Sequence, residues 1–260
     1  MRLPADSHVH SEWSWDAVQR GASMEKTCAR AVEIGLPALA FTEHMDLVTW
    51  GDFTPPPFDV DGYLASIERC RDLFPGLRIL TGVELGEPHW FGDQVTQLLA
   101  GGHFDRVLGS LHSLPVAGRL AEANEVYANR APADVIRDYL AEIPHLVAGS
   151  DAFHSLTHID YAVRSWPQDA GPFDPHTFED EFRHALHTLA DSGRALEINT
   201  RLPLAAVIVR WWRDEGGQAV TFGSDAHVPE ALAHGFTDAA ALAEAAGFHP
   251  TTSPYDWWSR

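Results

Sequence analysis

Short apolar runs of β type alternate with longer stretches of helical pattern along the whole chain, and several of the short runs end in a residue able to hold a metal ion. Such alternation is the sequence form of βα units packed around a parallel sheet. Seven strands are expected, over Ala5 to His10, Ala38 to Thr42, Arg78 to Glu84, Arg106 to His112, Phe153 to Asp160, Ala195 to Thr200 and Ala219 to Asp225. Between them, Ser23 to Ile34 and Asp61 to Phe74 form helices that stop at Gly35 and at Pro75-Gly76. Asp174 caps a further helix, Pro175 takes its first position and Gly193 closes it. Two longer stretches, Met45 to Val60 and Ser113 to Pro132, read as irregular and are assigned to the mouth at the C-terminal ends of the strands. No repeat or boundary divides the pattern, so residues 1–260 read as a single α/β domain.

Charge then narrows the range of partners. Lys and Arg number 18 against 37 Asp and Glu, a formal net charge of −19, which disfavours a nucleic-acid polymer or an anionic membrane as partner. Part of that excess suits a site in which carboxylates offset divalent cations. The two cysteines, Cys28 and Cys70, fall inside helical patterns and suggest neither a disulfide framework nor a cysteine zinc site. Without an apolar leader pattern after Met1 or a long apolar run, the expectation is a soluble, cytoplasmic protein.

Histidine is the unusual residue, with 15 copies, and its placement carries the chemistry. In Asp6-Ser7-His8-Val9-His10 the two histidines are two apart at a strand end, so they share a face and can reach one ion. Read alone, the pair is equally well two satisfied surface imidazoles. Further strands end Thr42-Glu43-His44, Gly82-Val83-Glu84, Gly109-Ser110-Leu111-His112, His158-Ile159-Asp160 and Gly223-Ser224-Asp225-Ala226-His227, and Asp16 follows the first strand. Parallel strands bring their C-terminal ends to one mouth, where His8, His10, His44, His112, His158 and His227 would meet Asp16, Glu84 and Asp225. Such clustering is costly unless oxygen and imidazole donors surround cations, and the donor mixture suits zinc, iron or manganese. The other nine, His89, His103, His145, His154, His176, His184, His187, His234 and His249, lie off the pattern and read as structural or exposed.

As a set, in order and over nearly the whole chain, these motifs, together with Glu197-Ile198-Asn199-Thr200, resemble the polymerase-and-histidinol-phosphatase (PHP) superfamily, specifically its histidinol-phosphate phosphatase branch. The resemblance implies a distorted (β/α)7 barrel holding two or three divalent ions. In that scheme His8, His10, Glu84 and Asp225 hold the first ion, Glu84 bridges to a second completed by His112 and His158, and Asp16, His44 and His227 hold a third. Asp16 stands where many members carry histidine, and Thr-Glu-His replaces the commoner Thr-Asp-His. The implied activity is metal-dependent hydrolysis of a small phosphate monoester, L-histidinol phosphate first among them, as in histidine biosynthesis.

Two cations sharing a water lower its pKa and offset charge as it attacks phosphorus, with Asp225 a candidate for the water's proton. Arg164 and Arg201 follow strand ends and are expected to fork onto phosphate oxygens, the alternative being surface ion pairs. Glu43, Tyr161, Glu122 and Glu125 can receive the cationic groups of histidinol, although an exposed acidic loop explains the last two as well. The wall from Glu197-Ile198-Asn199-Thr200 to Arg201 offers no expected metal ligand. A nuclease or nucleotide phosphoesterase of the same superfamily, and a catalytically silent metal or phosphate sensor, are the competing readings.

Overall fold

The computed structural model describes residues 3–260. Its strands in chain order are β1 (Asp6–Val9), β2 (Ala38–Met45), β3 (Arg78–Gly86), β4 (Arg106–Ser110), β5 (Ser113–Val116), β6 (Arg119–Glu122), β7 (Ser155–Leu156), β8 (Ala195–Asn199), β9 (Ala219–Gly223) and β10 (Trp258–Ser259). The main sheet runs β1-β2-β3-β4-β7-β8-β9-β10; its first seven strands pair in parallel and β10 is antiparallel to β9. The helices are α1 (Met24–Glu33), α2 (Val60–Leu73), α3 (Gly92–Ala100), α4 (Ala123–Val126), α5 (Pro132–Gly149), α6 (Glu179–Asp191), α7 (Ala206–Asp214) and α8 (Phe236–Ala245). Crossover helices cover the strands, which is why Ile79 to Gly86 are all buried, as in parallel sheets packed on both faces.

The sheet curls until its two ends meet. The Asp225 amide donates to the His8 carbonyl (2.8 Å) and the His10 amide to the Ala226 carbonyl (2.9 Å), so the segment after β9 pairs with β1. Buried Asp6 reinforces this seam, accepting from the Ser224 amide (3.0 Å), the Ser224 hydroxyl (2.5 Å) and the Ala233 amide (3.1 Å). The result is the expected distorted seven-stranded α/β barrel.

Helix starts follow from the caps. Ser23 accepts from the Lys26 amide, and Asp59, two residues before the expected start at Asp61, accepts from the Gly62 amide (3.0 Å). Asp174 caps through the His176 amide, but the turn it opens, Pro175–Phe178, is a 3-10 helix that leads into α6.

Three expectations need correction. The fifth strand, expected from Phe153 to Asp160, is only Ser155–Leu156, because His158 turns into positive φ (21°) and leaves the extended path. The stretch Ser113 to Pro132 is not irregular: β5 and β6 form a hairpin and α4 follows it. The two-residue β10 was not anticipated, being too short to show periodicity; Trp258 packs on Phe222 with ring centroids 4.9 Å apart. Close packing also explains Gly109 in β4, where a Cβ would lie 2.6 Å from the Phe153 ring. Among the described residues, no helix is long and apolar enough to cross a membrane.

Candidate active site

Every donor expected at the strand ends reaches one cavity or its floor. β1 delivers His8 and, one residue on, His10; their Nε2 atoms lie 3.0 Å apart and 3.2 and 3.4 Å from Glu84 Oε2. Asp225 Oδ1 is 3.5 Å from His10 Nε2. The other Glu84 oxygen, Oε1, faces His158 Nε2 at 2.8 Å and His112 Nε2 at 3.3 Å. Glu84 thus presents one oxygen to each of two imidazole pairs. His44 is the direct register partner of Glu84 across β2 and β3, which brings its Nδ1 to 3.1 Å from Glu84 Oε2. Asp16 closes a third group, 2.8 Å from His227 Nε2 and 3.6 Å from His44 Nε2.

Divalent cations fit these donors. Asp16 Oδ1, His44 Nδ1 and His227 Nε2 are buried without a hydrogen-bond partner, because their close approaches are not aligned for hydrogen bonding. Buried lone pairs left this way are costly unless a cation takes them up. Triads His8-His10-Glu84, Glu84-His112-His158 and His10-His44-His227 each bring ligand atoms within 4.8 Å of one another.

The charges are poised accordingly. Burial would raise the Glu84 carboxyl, but the imidazoles around it, His8 and His44 foremost, hold it well below the ordinary carboxylate range. Burial likewise opposes ionisation of Asp225, yet Arg164 and a hydrogen bond with His10 hold it well below its usual value. Burial lowers His158 to about 4 and, with neighbouring His44 and His227, depresses His10, so both present neutral nitrogens. His8 and His112 go the other way: burial opposes their protonation, but Glu197 and Glu84 beside His8, and Asp46 beside His112, outweigh it. Two of the donors, His158 and Asp225, sit at positive φ, 21° and 51°, a local strain of the kind that concentrates at functional sites.

A cavity of about 280 Å³ opens above the donors, small even for small-molecule sites of roughly 300–1,000 Å³. Trp15 and Trp50 line it with Glu122, Asn124, Tyr161, Arg164 and Arg201. Arg164 Nη2 donates to Asp225 Oδ2 (2.7 Å) and Arg201 Nη1 to Asp225 Oδ1 (3.0 Å), so both guanidiniums clamp a carboxylate at the cavity wall and neither is a surface ion pair. The Tyr161 hydroxyl donates to Glu122 (3.1 Å), and its ring packs on His112 and His158.

Glu125 is exposed and pairs with Arg119 outside the cavity. Glu43 is also not brought there, contrary to expectation. Side chains alternate along β2, so Glu43 points away from His44 and is fully buried, accepting from the Ser11 amide (3.0 Å) and the hydroxyls of Ser11 and Ser14. None of the nine histidines read as structural or exposed lines the cavity.

The wall formed by β8 is not empty, as the sequence suggested, but holds supporting groups. Glu197 Oε2 lies 2.8 Å from His8 Nδ1, and its Oε1 accepts from the Asn199 amide group (2.7 Å) and the His158 backbone (3.2 Å). Asn199 Oδ1 in turn accepts from Arg164 and from the Arg201 backbone. Glu197 and Asp46, both buried, were missed. The signals for Glu197 were the Glu197-Ile198-Asn199-Thr200 run, which belongs to the resemblance, and its two-residue spacing from Asn199 on one strand face; for Asp46 it was the same spacing from His44.

The sequence profile of the PHP domain matches residues 6–201. The chain belongs to the PHP family. Its PHP relatives include histidinol-phosphatase of Lactococcus lactis, 27% identical over 253 residues (94% of this chain, 91% of the relative). A probable histidinol-phosphatase of Deinococcus radiodurans is 31% identical over 246 residues, 90% of each chain. The crystal structure of the Lactococcus lactis histidinol phosphate phosphatase, complexed with zinc, L-histidinol and phosphate, superposes with a TM-score of 0.87 at 25% identity, covering 99% of both chains. That likeness extends the PHP architecture past the profile match, through the segment carrying Asp225 and His227.

Proposed function

We propose that this chain is a metal-dependent phosphatase that hydrolyses L-histidinol phosphate to L-histidinol and phosphate, acting as a single domain in the cytoplasm on a free metabolite of histidine biosynthesis. The observation that carries the reading is the division of Glu84, one oxygen toward His8 and His10 and the other toward His112 and His158. A carboxylate so placed suits two cations side by side. It is supported by relatives named histidinol-phosphatases over nine-tenths of the chain or more and by a structural neighbour holding zinc, L-histidinol and phosphate.

In this reading His8, His10, Glu84 and Asp225 hold one ion, Glu84, His112 and His158 a second, and Asp16, His44 and His227 a third, with zinc, iron or manganese as the metal. Such ions supply Lewis acidity and a nucleophile at neutral pH. The side chains position the rest. Arg164 and Arg201 face the cavity from one wall and bind the non-bridging oxygens of the phosphate. Tyr161 and Glu122 receive the cationic histidinol moiety, and Trp15 and Trp50 enclose it.

Water adds to phosphorus, the bond to the histidinol oxygen breaks, and that oxygen leaves with a proton. Asp225 takes the proton of the attacking water. Ionised at rest beside the arginines, it is a weak base, so it hands that proton on to the departing histidinol oxygen.

Phosphate release from L-histidinol phosphate, a phosphodiester and single-stranded DNA, measured with zinc or manganese present, tests the proposal. Hydrolysis concentrated on L-histidinol phosphate is expected. Degradation of DNA with negligible action on the monoester would overturn it.

A further inference from the structure

Asp46 is a buried carboxylate in the cavity wall that none of the three proposed ion sites uses. Its two oxygens have different partners. Oδ1 lies 3.1 Å from His112 Nδ1, and Oδ2 accepts from Trp15 Nε1 at 2.9 Å. An imidazole has two ring nitrogens, and His112 already turns Nε2 toward Glu84 Oε1. A carboxylate on the remaining nitrogen fixes both the tautomer and the ring plane of a metal-ligating histidine. The Trp15 bond extends the link outward, since Trp15 packs against Phe53 (4.9 Å between ring centroids) and Trp50 (5.9 Å) at the cavity mouth.

The neighbouring strand makes room for this arrangement. Met45 is in register with Leu85, which places Asp46 beside Gly86, and a Cβ on Gly86 would overlap Asp46 Oδ1. Gly86 does not have a positive φ, so the missing side chain reflects the space Asp46 needs and not a backbone requirement.

We propose that Asp46 is a positioning residue: it holds His112 in the orientation and tautomer the second ion site needs and couples that site to the Trp15 wall, with Gly86 bare to admit it. The inference rests on the metal centre proposed above. It assigns Asp46 no contact with the substrate.

Titrating the metal-free protein with zinc alone, by calorimetry or against a chromophoric chelator, tests this in wild type, Asp46→Asn, Gly86→Ala, Trp15→Phe and His112→Ala. Asp46→Asn and Gly86→Ala are expected to weaken the second equivalent about ten- to a hundredfold and leave the first near wild type. Trp15→Phe, which removes the Nε1 donor together with part of the ring, should weaken it several-fold. In turnover of L-histidinol phosphate at limiting zinc, Asp46→Asn should lower kcat more than it changes KM.

Wild-type affinity for the second zinc in Asp46→Asn and Gly86→Ala, with loss of that zinc in His112→Ala, overturns the inference and leaves the metal centre intact. A raised KM at unchanged zinc affinity overturns it too, making Asp46 a substrate contact. A wild-type protein that takes up no second zinc removes the metal centre and the inference together. Should Asp46→Asn fail to fold, Trp15→Phe decides alone: unchanged second-zinc affinity refutes the coupling.

Discussion

The two arginines at the cavity wall offer a graded test of phosphate binding. Arg164 and Arg201 each donate to one oxygen of Asp225, so neither can be removed without the other keeping that carboxylate paired. Replacing either with Met retains most of the apolar stem and removes the guanidinium. A hydrogen bond to a charged group is worth roughly 1.5–3 kcal/mol, which corresponds to about ten- to a hundredfold in catalytic efficiency.

Solvent screens the two differently. The Arg164 side chain is 18% exposed and that of Arg201 35%. Arg164→Met should therefore fall near the hundredfold end and Arg201→Met near tenfold. The double variant should lose more than the product of the two, because Asp225 then loses the guanidinium partners of both its oxygens at once. Steady-state kcat/KM on L-histidinol phosphate, with metal content checked in each variant, gives the measurement. Wild-type efficiency in both single variants, or a larger loss for Arg201→Met than for Arg164→Met, would refute the reasoning.

Elemental analysis of protein purified in metal-supplemented, chelator-free buffer should find two or more equivalents of transition metal per chain. Glu84→Ala should reduce that content and abolish turnover while circular dichroism stays native; near-normal activity in the folded variant would contradict its bridging position. Glu43 supplies a pH prediction. Burial raises its carboxyl to about 7, so over the window from about 4.5 to 7 the folded chain binds more protons than the unfolded one, and its contribution to stability falls as pH rises. The melting temperature of the metal-free protein should therefore drop less between pH 5 and pH 8 in Glu43→Gln than in wild type, and equal drops would place the Glu43 proton elsewhere.

The cluster of candidate donors was legible because all but Asp16 stand at or just beyond the end of an apolar run, where a parallel barrel brings side chains to one mouth. The seven-stranded order was legible for the same reason. What escaped the sequence depends on contacts between segments far apart. Glu197 and Asp46 look like ordinary acids in a strand and after one; their roles appear only when His8 and His112 turn their second nitrogens toward them. Glu43 misled because it sits inside the Thr42-Glu43-His44 motif, although strand alternation sends it to the opposite side. The shortness of β7 follows from the backbone at His158, whose positive φ no residue type announces.

The seam at which the barrel closes has a consequence for how the molecule comes into being. Asp6 and Ser224, which meet there, are 218 residues apart, and drawing such distant segments together costs about 5 kcal/mol of chain entropy, (3/2)RT ln n. His8 and His10 leave the ribosome well ahead of Asp225 and His227, each of which follows its partner in the first pair by 217 residues. An ion gripped by His8, His10 and Asp225 would be a staple across the last joint to form. Its dissociation would then open the barrel at that joint before the early strands β2 and β3 come apart.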